Sequence, residues 1–352
     1  MPFPCRTLIL ALAMVTDPLA AQGPLVPLDV AEQHDVITGL ATQLRANYVF
    51  PDVAEKMIAL VQGKLNSRGY GPMERPAFAS QLTLDLQSVS HDKHLRVRYS
   101  PEKLSASPER DDPDPATRAQ ARANHFGFAR TEILPGNVAL LELREFMSAT
   151  GEIRDTAIAA LKRLAGADAL IVDLRRNGGG DPNMVALVSS ALWPKGEKVH
   201  LNDLYFRPSN ETEQFWIDPA LDVSRITGPV YTVTSSFTFS AAEEFTYNLK
   251  QLKRATQVGE TTGGGANPGG QERLTDHFSV FVPSGRAINP MSKTNWEGVG
   301  NVPEINAPRD SALMLAYREA LKRLESSART PAQRNPVRAA QAGLQSGAIK
   351  LP

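Results

Sequence analysis

Ala169-Leu170-Ile171-Val172-Asp173-Leu174-Arg175-Arg176-Asn177-Gly178-Gly179-Gly180 is the stretch from which the architecture of this chain can be read. Its first six residues are a near-continuous apolar run, the pattern of a strand buried on both faces. Three glycines follow directly, and helical spacing resumes from Val185 to Leu192. Glycine at such a turn lets the backbone approach a ligand closely and direct N–H groups into a cavity, where they can stabilise an oxyanion. No Gly-Lys-Ser/Thr follows and no GxGxxG is present, which excludes a P-loop and a dinucleotide fingerprint. Taken alone, the stretch is equally a tight strand-to-helix turn.

Working outward, strands and helices alternate. Val138–Leu143 reads as a strand, and Ile153, Ala157, Leu161 and Leu164 mark one helical face that Gly166 can end. Val230–Thr234 is another strand, Ala241–Leu252 another helix, and Ala312–Leu324 a last one. Such alternation predicts a layered α/β core. Ahead of it, Val36, Ile37, Leu40 and Leu44 predict a first helix. A second, capped by Asp52, carries Met57, Ile58, Val61 and Leu65, and a third carries Phe78, Leu82, Leu86 and Val89. Leu95–Tyr99 alternates as a strand does, and residues 101–119 are rich in Pro, Asp and Ser. The expected organisation is a signal peptide at 1–21, an N-terminal helical domain at 22–100, a linker at 101–132, the α/β core at 133–326 and a polar tail at 327–352.

Composition narrows the function. The 352 residues suffice for about two domains with a real core. Lys+Arg and Asp+Glu are both 38, so the formal net charge is zero, which argues against a nucleic-acid partner. Cys5 is the only cysteine, which removes structural disulfides, CxxC chemistry and cysteine-based metal or iron–sulfur centres. Arg6, the apolar run Leu8–Val15 and the small residues Leu19-Ala20-Ala21 read as a secretory signal. That run is too short to span a bilayer. The expectation is a periplasmic or secreted protein without stable membrane insertion.

Four segments could carry chemistry. Besides the three glycines, Ser240 follows a strand and a small-residue turn and stands where a helix begins, so its hydroxyl sits at a positive helix end; a serine there is as readily a plain N-cap. Asn295-Trp296-Glu297-Gly298-Val299-Gly300 puts a carboxylate beside a Trp in a glycine turn. Asp92-Lys93-His94 offers a histidine, the commonest base for a serine nucleophile. Spacing does not choose among His91, His94 and His277 as the base, and Glu243, Glu244 and Glu260 are rival acids.

The order and wording of these segments resemble the tail-specific (C-terminal-processing) serine peptidase superfamily, over roughly residues 30–325. Within it the chain is most similar to the branch of interphotoreceptor retinoid-binding protein and tricorn core domains. Asp173-Leu174-Arg175-Arg176-Asn177-Gly178-Gly179-Gly180, Phe239-Ser240-Ala241-Ala242-Glu243, Gly259-Glu260-Thr261-Thr262-Gly263-Gly264, Asn295–Gly300 with Val302-Pro303-Glu304, and Asp92-Lys93-His94-Leu95 carry it. The position of the processing peptidases' dyad lysine is Gly265 here. The tricorn-like branch uses Ser, His and Glu, which the resemblance places at Ser240, His94 and Glu297. In tricorn a serine precedes the histidine and an aspartate follows the nucleophile; Lys93 and Ala241 stand there in this chain. The resemblance implies a crotonase/ClpP-like core. It implies a peptidase that needs no cofactor or metal and acts on a peptide or protein substrate. Backbone N–H groups of Gly178 or Gly179 and of Ala241 would form the oxyanion hole. The span between Tyr99 and Val138 is too short for a PDZ module. The retinoid-binding relatives imply the alternatives, a binder of apolar small molecules or an inactive homologue; a non-enzymatic adaptor is a third.

Overall fold

A computed structural model describes residues 27–105 and 115–351. The expected signal segment and Cys5 lie outside the described residues. Three helices open the chain: α1 (Val30–Asn47), α2 (Pro51–Asn66) and α3 (Arg75–Ser90). The apolar positions read from the sequence face inward, with Val36, Leu40, Leu44, Met57, Val61, Phe78, Leu82 and Leu86 fully buried. Asp52 is not the cap of α2. Phe50 holds that position and Pro51 begins the helix, its missing N–H and fixed φ suiting the first turn.

Strand β1 (Arg96–Tyr99) follows, then α4 (Pro115–Ala123), a 3₁₀ turn at His125–Gly127, and β2 (Phe128–Leu134). The core continues with β3 (Val138–Leu143), α5 (Gly151–Arg163), β4 (Ala169–Asp173) and α6 (Pro182–Ser190). Then come β5 (His200–Phe206), β6 (Glu211–Trp216), β7 (Val230–Thr234), α7 (Ala241–Gln251) and β8 (Thr256–Gly259). The chain closes with β9 (Gly269–Arg273), β10 (Phe278–Pro283), β11 (Gly285–Ile288), β12 (Ile305–Asn306), α8 (Arg309–Ser327) and α9 (Pro331–Gln345).

Six strands form the central sheet in the order β12-β8-β7-β4-β3-β2, parallel except for the antiparallel β2–β3 pair. Every residue of β3, β4 and β7 is buried, Glu142, Asp173, Thr232 and Thr234 among them, as in a sheet covered on both faces. Helices α5, α6 and α7 pack on one face through Leu161, Val185, Phe245 and Leu249. Helices α8 and α9 cover the other through Leu313, Tyr317, Leu321 and Val337. This is the expected layered α/β core with an N-terminal helical region.

Three expectations about its borders change. The 101–132 linker contains α4 and most of β2, an edge strand whose mixed burial hid it from an apolar-run reading. The tail after 326 is not idle: α9 is amphipathic and buries Val337 and Ala340 against α8. The N-terminal helical region is completed by the core's own chain. Strand β1 pairs with β10, β10 with β9, and Phe278, Val280 and Val282 lie in one cluster with the helices' apolar residues.

Truncating Val337 to alanine removes two buried methyl groups, at about 0.8 kcal/mol each. The melting midpoint should fall by roughly 3–6 °C, at 2–4 °C per kcal/mol for a domain of this size. An unchanged midpoint would mean that α9 contributes nothing to the fold.

Candidate active site

The parallel strands β4 and β7 are neighbours, so the segments leaving their C-terminal ends meet. That edge is where open α/β sheets bind ligands. From β4 come the three glycines; from β7 comes Ser235-Ser236-Phe237-Thr238-Phe239-Ser240. The two turns are laced together. Thr238 Oγ1 donates to the Leu174 carbonyl at 2.8 Å, Ser235 Oγ to the Arg175 carbonyl at 2.7 Å and the Phe239 N–H to the Asn177 carbonyl at 3.1 Å. Asn177, fully buried, donates to the Leu143 carbonyl at 2.9 Å and accepts the Gly179 N–H at 2.9 Å.

Ser240 is the N-cap of α7 with φ 54° and ψ −123°. A side chain at such a φ costs on the order of 1–3 kcal/mol and persists only where its surroundings over-determine it. Here they do. The Ser240 N–H donates to Glu243 Oε2 at 3.0 Å. The same carboxylate, 0 % exposed, accepts from Thr262 Oγ1 at 2.5 Å and from the N–H groups of Gly264 and Gly265 at 2.7 and 2.8 Å. Burial pushes the Glu243 carboxyl up, and these bonds pull it back. Glu243 is therefore not a free acid but a tie between the serine turn and the glycine-rich turn after β8. Gly179 permits the close approach on the other side: at φ 120°, a Cβ there would lie 2.7 Å from Ser240 Cβ.

His94 arrives from the helical region. Asp92, only 1 % exposed, accepts the His94 backbone N–H at 3.0 Å, Asn267 Nδ2 at 2.9 Å and the Tyr48 hydroxyl at 3.5 Å. Lys93 Nζ donates to the Gly263 carbonyl at 2.5 Å. The Asp-Lys-His segment is thus fastened to the same turn that Glu243 holds. The imidazole packs on the rings of Phe239 and Phe281, with centroids 4.6 and 5.8 Å away. A Cβ at Gly265 would meet its Cε1 at 2.7 Å, so a larger residue at the dyad-lysine position would displace the ring.

Asp92, His94 and Glu297 each bring one polar atom within 4.8 Å of the others. His94 Nδ1 is 3.8 Å from Asp92 Oδ1. Glu297 Oε2 accepts the Ala266 N–H at 2.5 Å, while Oε1 is buried without a partner. Neither His94 nitrogen makes a hydrogen bond, so neither Ser240 Oγ nor Glu297 yet engages the ring. Unligated active sites often hold such contacts long, and they tighten with substrate. Burial, then Arg96, pushes His94 down to about 4, so the imidazole is neutral, with a lone pair free to accept a proton, across the ordinary pH range. Burial, Asp92 and Glu243 push Glu297 up to about 8. Two carboxyls and an imidazole are also the groups here that could approach a cation.

The remaining sequence candidates stand apart or change role. His277 Nδ1 lies 3.1 Å from the Ser100 carbonyl, and His91 is exposed at the C-terminal end of α3. Glu260 caps backbone N–H groups of Ser236 and Arg309. Gly179 cannot serve as drawn from the sequence, because its N–H is taken by Asn177 Oδ1. Among the described residues, Gly178, Gly180 and Ala241 show no such bond; Gly180 and Ala241 border a cavity together with Ser240. Sequence reading passed over Asp92, Tyr48 and Asn267 as a carboxylate with its two holders. Only the position of Asp92 two residues before His94 hinted at it.

Residues 137–307 match the sequence model of Peptidase family S41, and residues 30–125 match the N-terminal domain of Peptidase_S41 in eukaryotic IRBP. The chain belongs to peptidase family S41. Its fold is similar to that of a putative peptidase from Parabacteroides merdae, at TM-score 0.55 and 18% identity, over 84% of this chain and 99% of that one. It is also similar to the photosystem II D1 C-terminal processing protease, at TM-score 0.51 and 16% identity, over 79% and 94%. Tricorn protease aligns at TM-score 0.52 and 12% identity, over 88% of this chain but 37% of that one. These distant S41 structures share the fold. As a family S41 member, the chain is of the serine peptidase class, acting on peptide or protein substrates.

Replacing Glu243 by glutamine sets an NH₂ against N–H donors. Labelling of Ser240 by a fluorophosphonate should slow at least tenfold and the melting midpoint should drop. Unchanged labelling would show that the strained serine does not need this tie.

Proposed function

We propose that the protein is an exported serine peptidase that cleaves peptide bonds through an acyl-enzyme. Ser240 is the nucleophile, His94 its base, and Glu297 the acid that orients and balances the imidazole. The observation that supports this reading is a neutral imidazole and a carboxyl with an unused oxygen within reach of one another, beside the glycine-rich turn to which Glu243 ties the strained serine at the start of α7. His94 takes the Ser240 proton as Oγ attacks the carbonyl carbon, and later gives it to the leaving amine. The oxyanion develops against the Ala241 N–H at the positive end of α7, with Gly178 or Gly180 as its second donor. Asp92 serves as a second carboxylate, nearest to His94 Nδ1, that steadies the imidazolium. Export rests on the signal pattern of residues 1–21. The cavity at Ser240, about 40 Å³, is far below the roughly 300–1,000 Å³ of small-molecule sites, which does not favour a carrier of apolar ligands.

A fluorophosphonate should form a single adduct on Ser240, absent from Ser240→Ala and cut at least 100-fold in His94→Ala. A folded protein that takes no adduct would defeat the reading.

The pH profile is a second test. His94, with its value near 4, is already unprotonated above pH 6 and contributes no limb there. Glu297, near 8, is protonated below that pH and cannot balance an imidazolium until it ionises. The rate should therefore rise as pH increases through about 8. Glu297→Gln should lower the plateau and abolish that limb, whereas a limb that survives in Glu297→Gln would assign it to another group, Asp92 first.

A further inference from the structure

We propose that the cavity beside Ser240 receives the substrate side chain on the acyl side of the cleaved bond, and that Glu244 makes it select a small side chain bearing a hydroxyl, threonine or serine. This rests on the peptidase reading above. The cavity opens beside Ser240 and Ala241, is flanked by Gly180, and is walled by Leu204, Ala266, Ala287 and Trp296. Those four walls form a buried apolar cluster of their own, joined by Phe215. Trp296 is fixed by its Nε1, which donates to the Gly265 carbonyl at 2.7 Å. About 40 Å³ admits roughly three water-sized groups, enough for a threonine side chain and too little for leucine or lysine.

One wall is not apolar. Glu244, 4 % exposed, lines the cavity one turn of α7 beyond Ser240 and plays no part in the proposed chemistry. Its carboxyl is poorly served by the protein. Asn248 Nδ2 reaches Oε1 only at 3.5 Å. The Asn202 amide faces the same carboxyl and eases its ionisation, but neither of its buried polar atoms comes into good hydrogen-bond geometry with it. A buried polar wall that its own neighbours leave short of partners is one that a ligand can complete. Burial pushes Glu244 up to about 7, so both protonation states are populated near neutrality. A hydroxyl suits both, since it donates to the carboxylate and accepts from the acid. A methyl in the same place leaves the wall unpaired, and sites built to bind a hydroxyl reject the analogue lacking it.

The experiment compares kcat/KM on peptides identical except at the acyl-side residue: threonine, its isostere valine, serine, alanine, leucine and lysine. Wild type, Glu244→Gln and Glu244→Met are assayed, with fluorophosphonate labelling of Ser240 in parallel. The expected result is threonine over valine by tenfold or more in wild type. That preference is kept in part by Glu244→Gln and lost or reversed in Glu244→Met, with leucine and lysine poor throughout. Equal rates for threonine and valine in wild type, or leucine or lysine as the best substrate, overturn the proposal without any variant. A ratio that Glu244→Met leaves unchanged removes Glu244 as its cause. Labelling of Ser240 without cleavage of any of the six peptides overturns this inference alone. Neither labelling nor cleavage overturns the peptidase reading and this inference with it.

Discussion

The site depends on one buried carboxylate. Glu243 accepts four hydrogen bonds, one from the backbone of Ser240 and three from the Thr262–Gly265 turn. A buried charge is tolerated only when its lone pairs are used, and those four donors are fixed points of two different loops. Satisfying the charge therefore sets the distance between the loops. It also supplies the over-determination that a serine at positive φ requires. The glycine-rich turn then carries the constraint onward, since Gly263 and Gly265 touch the Asp92–His94 segment and Ala266 bonds Glu297.

Delivery of His94 from the helical region would be imprecise if two domains merely abutted. Here they share strands. The β9–β10 hairpin leaves the core, pairs with β1 and lends Phe278, Val280 and Val282 to the helical cluster. The histidine thus sits at the start of a strand whose partner belongs to the catalytic half of the chain. Any hinge between the halves must bend this three-stranded sheet, which limits the motion available to bring His94 onto Ser240 to small adjustments around the Phe239 and Phe281 rings.

The legible parts of the sequence were those whose burial is one-sided or total. Helices α1 to α3 and the fully buried strands β3, β4 and β7 write their environment into an apolar period or a mostly apolar run. Strands β2, β5, β6 and β9 alternate imperfectly because they lie at edges or in small sheets, and no period marks them. Helix α9 was hidden by its composition: only Val337 and Ala340 are buried, and a proline sits inside it. At the site, Ser240, His94 and Glu297 became nameable through family resemblance, and the structure brings the latter two within reach of one another. The commitment of the Gly179 N–H to Asn177, and the tie made by Glu243, are hydrogen-bond choices among several side chains that linear spacing does not encode.

The electrostatics of the base follow from burial more than from any partner. His94 is held neutral because its ring is taken out of water among aromatic side chains, with no hydrogen bond to favour a charge. Burial raises both Asp92 and Glu297, and the nearby Asp92 raises Glu297 further, so Glu297 keeps its proton up to about 8. A positive charge on the imidazole reverses both tendencies. It gains two carboxyls close by, and above about 8, where Glu297 is ionised, both can balance it. The neutral imidazole is thus the low-cost resting form, and its charge is stabilised only once the serine proton has moved. That is the differential stabilisation a catalyst requires, in which the protein's charges fit the charge that forms during attack rather than the state that precedes it.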